Sequence, residues 1–110
     1  MGYDVKWTAS ARADVEGIIR HIAVALDSPK AASEHLDALT EAADRISDFP
    51  EMRAVGAHPS LSCRGLRPNF VKKYVVLYSL DGEGAVVHRV FLALQDYARL
   101  IERDDPALGQ

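Results

Sequence analysis

The stretch from Lys72 to Tyr97, KKYVVLYSLDGEGAVVHRVFLALQDY, constrains the fold more than any other part of the chain. Tyr74 to Leu80 is rich in β-branched and aromatic residues, and Asp81-Gly82-Glu83-Gly84 is a glycine-bearing break of the kind that closes a hairpin. Ala85 to Leu92 reads as the return strand. A strand with one wet face alternates apolar and polar residues, but these two are apolar at nearly every position. Burial on both faces is therefore expected, which places the pair at the centre of a sheet and makes it the scaffold for any site.

The remaining elements arrange themselves around that hairpin. Asp4 to Thr8 alternates and is short, so it reads as an edge strand with Val5 and Trp7 facing inward. Thr8 or Ser10 suits the N-cap of a helix whose apolar stripe is Ala11, Val15, Ile18, Ile22 and Leu26. Ser28 and Pro29 are a cap and a first helical residue for a second helix to about Asp48, with the stripe Ala32, Leu36, Leu39, Ala43 and Ile46 and an end at Phe49-Pro50. So short a joint makes the helices an antiparallel hairpin. Glu51 to Ser60 reads as loop and Leu61 to Leu66 as a further strand, with Arg67 to Phe70 turning into the central hairpin. A short helix from Gln95 to about Arg103 uses Ala98, Leu100 and Ile101 for contacts. The expected fold is α+β in a single domain, residues 1–103: an N-terminal strand, an antiparallel two-helix hairpin packed on a mainly antiparallel four-stranded sheet with helices segregated on one face, a short C-terminal helix, and a frayed tail over 104–110.

Composition narrows the function classes. The chain has 110 residues, enough for one core without staples, and its single Cys63 allows no internal disulfide, which suits a cytoplasmic setting. No apolar run reaches the length of a membrane span. A formal charge of -3 argues against bulk nucleic-acid binding, yet no Asp or Glu falls between Met52 and Leu80, where Arg53, Arg64, Arg67, Lys72 and Lys73 are gathered. One basic side is thus possible on an acidic protein. Phosphate-loop, HExxH, paired-cysteine and calcium-loop patterns are all missing, and no cofactor or metal is implied.

In order and spacing the residues resemble the RelE/ParE superfamily of bacterial type II toxins. The likeness rests on Val5, Trp7, Thr8, Ala11, Asp14 and Ile18, on Phe49-Pro50, on Arg64-Gly65-Leu66, on Lys73-Tyr74-Val75-Val76-Leu77-Tyr78, and on Arg89-Val90 with Gln95-Asp96-Tyr97. It implies a small toxin held inactive by a cognate antitoxin. RelE-like members cleave messenger RNA on the ribosome, whereas ParE-like members poison DNA gyrase without cutting anything themselves.

Metal-free RNA cleavage needs a base, cations for the developing charge and an acid around one phosphate. The resemblance implies an arginine directly after the first tyrosine of the central strand; here that position is Val75. Where many relatives have a histidine and a further arginine near the end of the return strand, this chain has Leu92 and Leu94. A cleavage site would have to be built from Arg64, Arg67, Lys72 and Tyr97, with Lys73, Arg89 and Arg53 holding substrate and Tyr97 or His88 exchanging protons. Each residue has a plainer reading. Arg64, Arg67, Lys72 and Lys73 can line a solvated strand edge, Arg89 can pair with an acid such as Asp96, and His88 can be structural. Cys63 reads as inert packing, and Tyr74, Tyr78 and Trp7 as core aromatics. The choice between a ribosome-dependent nuclease and a non-catalytic binder, gyrase-directed or restricted to its antitoxin, stays open at this level.

Overall fold

Residues 3–82 and 84–104 are described by the computed structural model. Strand β1 (Val5–Trp7) leads into helix α1 (Ala9–Arg20), and Thr8 caps that helix by accepting from the Ala11 N–H at 3.0 Å. A π turn over His21–Ala25 follows. Its winding brings the Leu26 N–H to His21 O, five residues back, and rotates Leu26 into solvent, so the expected stripe ends at Ile22. Helix α2 (Pro29–Asp48) starts on Ser28, whose hydroxyl accepts from the Ala31 N–H, with Pro29 in the first turn. It buries Ala32, Leu39, Ala42 and Ile46. Leu36 and Ala43, expected in the buried stripe, lie on the flank facing α1, and Leu36 is 43% exposed.

The segment read as a strand, Leu61 to Leu66, is instead a single helical turn and a reversal. Pro59 starts helix α3 (Pro59–Ser62), His58 Nδ1 accepts from the Ser60 N–H at 3.1 Å, and Gly65 reverses the chain at φ +65°. Strand β2 falls on Arg67–Val71. Pro68 is tolerated there because β2 is an edge strand with partners on one side only. Strands β3 (Tyr74–Asp81) and β4 (Gly84–Leu92) form the expected central hairpin, and helix α4 (Tyr97–Asp104) closes the described chain.

The sheet order is β1-β4-β3-β2. β2 and β4 run antiparallel to β3, whereas β1 runs parallel to β4 with Val5 opposite Ala85. Leu77 faces Arg89 while Tyr78 faces Val87, leaving His88 as the extra residue of a bulge. The helical hairpin covers one face, packing Ala11, Leu39, Ala42 and Ile46 on Tyr74, Val76, Tyr78, Val87 and Val90. The helices are not all on that face. α3 and α4 cover the other, with Leu61, Leu66, Ala98 and Ile101 against Val75, Leu77 and Phe91. Two covered faces are what apolar residues at successive strand positions require.

Candidate functional site

Val75 points into the second of these cores and is fully buried beneath α3 and α4, beside Leu77 and Phe91. The position at which an arginine could have met a phosphate is therefore closed by packed side chains.

The sequence-predicted cations do not converge. Arg64 follows α3, where its Nη1 donates to Ser60 O at 2.6 Å and lies 3.4 Å from Cys63 Sγ. Cys63 itself is exposed, not packed as expected, because it belongs to this reversal and not to a strand. Arg67 and Arg53 meet at the start of β2: Arg67 Nη1 donates to Arg53 O, and Arg53 Nε donates to the buried Asn69 Oδ1 at 2.9 Å. Lys72 and Lys73 form the turn at the other end of β2, with Lys72 at φ +53°. Five residues of strand put Lys72 roughly 17 Å from Arg67. The cations thus run from one end of β2 to the other and do not all surround one point. Tyr97 stands at the start of α4, on the face that α3 also covers, edge-on to Phe70 at 6.2 Å between ring centres.

Arg89 has an acidic partner, but it is Asp14 of α1 and not Asp96. Asp14 accepts from Arg89 Nε at 2.7 Å, from Arg89 Nη2 at 2.9 Å and from the Val90 N–H at 2.9 Å. β1 stops opposite Val87, so the carboxylate takes the place of a neighbouring strand on the next stretch of the β4 edge. Arg89 also lies over the Phe91 ring at 4.5 Å. The arrangement locks α1 to the sheet and engages the arginine. Asp14 belonged to the opening pattern of the sequence, but nothing there identified its partner.

Other polar groups are similarly engaged. Ser60 is buried and donates to Glu102 Oε1 at 2.5 Å, tying α3 to α4. His88 Nε2 and Ser79 Oγ are 2.8 Å apart, and burial holds the imidazole pKa below its ordinary value. The same is true of His35, where burial acts first and Lys72 and Lys73 add to it; its Nδ1 shares a hydrogen bond with the Tyr74 hydroxyl. Burial raises the Tyr74 and Tyr78 phenols, so neither is a ready proton donor at neutral pH. The Tyr78 hydroxyl donates to Pro50 O at 2.8 Å. Among the described residues no group of three or more His, Cys, Asp or Glu could hold a metal ion.

What the hairpin leaves open is a groove of about 390 Å³ between α1 and α2. Trp7, Val15, Leu36, Leu39 and Ala43 form its apolar wall, with Arg12, Glu16 and Asp44 at the rim. An apolar channel of this shape with charges of both signs at its edge suits an amphipathic helix better than a small metabolite.

The family model for the ParE toxin of type II toxin–antitoxin systems, parDE, matches residues 5–97. A solved structure described as a chromosomal ParDE toxin–antitoxin system from P. aeruginosa is similar in fold. The TM-score is 0.67 at 20% identity, over 82% of this chain and 95% of that one. No curated protein matches. No helix among the described residues is long and apolar enough to cross a membrane.

Proposed function

The chain belongs to the ParE toxin family of type II toxin–antitoxin systems, and from that premise we propose that it arrests growth by binding its target, DNA gyrase, and not by cutting RNA. A cognate antitoxin silences it by laying an amphipathic helix in the groove between α1 and α2. The observation that carries the reading is the full burial of Val75 beneath α3 and α4, at the position where the resemblance calls for an arginine. The separation of Lys72 from Arg67 by the length of β2 supports it, since phosphoryl chemistry needs its cations and proton carriers around one phosphorus. The -3 charge is also unhelpful for a protein that must enter the ribosome.

Inducible expression in growing bacteria tests this directly. DNA damage with intact messages is expected, and Arg64→Ala, Arg67→Ala and Lys72→Ala should remain toxic. Transcript 5′ ends mapping inside codons, lost in those same variants, would establish the nuclease instead. For the groove, Leu36→Glu is expected to stay toxic while escaping the antitoxin encoded beside it. Neutralisation of that variant at wild-type antitoxin levels would remove the groove from the account.

A further inference from the structure

A second cleft lies away from that groove, where α2 ends beside the β3–β4 turn. It encloses about 680 Å³ and is lined by Tyr3, Phe49, Met52 and Leu80 with Asp48 and Glu51. Three of its large apolar residues face water: Phe49 is 66% exposed, Tyr3 45% and Leu80 36%. Large apolar side chains gathered at one place on a surface mark contact sites more often than they occur by chance.

These side chains are held in place by the backbone. The Tyr3 N–H donates to Ser47 O at 2.8 Å and the Ser47 hydroxyl donates back to Tyr3 O at 2.6 Å, which fastens the approach to β1 on the last turn of α2. The Phe49 N–H donates to Arg45 O at 2.8 Å and the Met52 N–H to Phe49 O at 3.0 Å, so Phe49 projects from a fixed turn. Tyr78 anchors the next residue through Pro50 O. A preorganised wall loses little entropy on binding.

Charge identifies the occupant. Among the described residues, the charged ones lining the cleft are Asp48 and Glu51, with no lysine or arginine. The C-terminus of α2 adds the negative end of its dipole at the same place. Aromatic faces at Phe49 and Tyr3 attract cations as well. The groove between α1 and α2, in contrast, has Arg12 at its rim.

We propose that this cleft is a docking surface for a segment of a partner protein carrying lysine or arginine beside an apolar anchor. The anchor packs between Phe49, Tyr3 and Leu80 while the cations meet Asp48 and Glu51. The inference is independent of the gyrase reading and of the antitoxin groove.

A fluorescent peptide alternating arginine with leucine and tryptophan, and a second with glutamate in place of arginine, serve as probes against the full chain. The cationic peptide should bind, shift the amide resonances of Tyr3, Phe49 and Leu80, and weaken as salt is added. Combined Asp48→Lys and Glu51→Lys, and separately Phe49→Ser, should each weaken binding by about tenfold or more. Leu36→Glu should leave it unchanged. Circular dichroism and thermal unfolding establish that each variant is folded, and charge reversal at two exposed positions leaves the core intact. Equal binding of both peptides, resonance shifts confined to other surfaces, or charge-reversed protein binding within twofold of wild type would overturn the proposal. So would a concentration-dependent dimer in sedimentation that buries Phe49, because a second copy would then be the occupant.

Discussion

Replacing Asp14 with alanine should destabilise the protein more than any other single change on the surface of α1. The carboxylate accepts three hydrogen bonds, two from Arg89 and one from the Val90 N–H, and the paired side chains are only 16% and 20% exposed. Removal leaves a strand-edge amide without its acceptor and a guanidinium in a half-dry place. An unsatisfied buried donor costs about 1–3 kcal/mol, and breaking a fully buried pair about 3–5 kcal/mol. Residual solvation of Arg89 and its retained contact with Phe91 reduce the second figure, so about 2–4 kcal/mol is expected for Asp14→Ala. Asp14→Asn keeps a neutral acceptor for Val90 and should cost about half as much. Urea unfolding with an unchanged slope provides the measurement, and a cycle with Arg89→Met isolates the pair, for which coupling of about 1–2 kcal/mol is expected. If Asp14→Ala unfolds within about 0.5 kcal/mol of wild type, or the cycle is additive, the carboxylate does not hold the sheet edge as described.

Two glycines separate backbone strain from collision. At Gly65 a Cβ would meet open space but at φ +65°, so Gly65→Ala should cost only about 1–2 kcal/mol. At Gly84 a Cβ would fall 2.2 Å from Asp4 O, so Gly84→Ala must push β1 off β4 and should lower the melting temperature further than Gly65→Ala. Stability should also fall in mild acid. His88 and His35 have folded pKa values below 6.5, so the unfolded chain binds more protons; stability is complete above that pH and declines as pH drops through the folded values. Urea midpoints across that range should show a shallower decline in His88→Gln, and an unchanged slope would exclude His88 as a source.

The central hairpin was legible because two strands buried on both faces need apolar residues at every position, a pattern that survives without knowledge of neighbours. The caps at Thr8, Ser28 and Pro29 were legible for a similar reason, being local chemistry. What failed depended on distant packing. Leu61 to Leu66 carries apolar residues that any buried segment could use, and only the His58 cap and the Gly65 reversal make it a helical turn. The π turn at His21–Ala25 altered which residues of α1 face inward, and no residue type announces such a turn. In the candidate site, residue types misled in one direction: Arg53, Arg64, Arg67, Lys72 and Lys73 are close in sequence, but a strand laid between them separates its two ends. The partnership of Asp14 with Arg89 spans most of the chain and had no local signature.

The pairing of β1 with β4 has a consequence for how the molecule comes into being. β1 precedes every other described strand in sequence, yet its strand partner β4 is the last of them. Until Gly84–Leu92 emerges, Val5 and Trp7 have no strand to join, and the Thr8 hydroxyl that caps α1 has no His88 carbonyl to donate to. Domains whose contacts join distant segments assemble late and fold slowly. The β1 edge of the sheet and the cap of α1 are therefore completed only after β4 has been made.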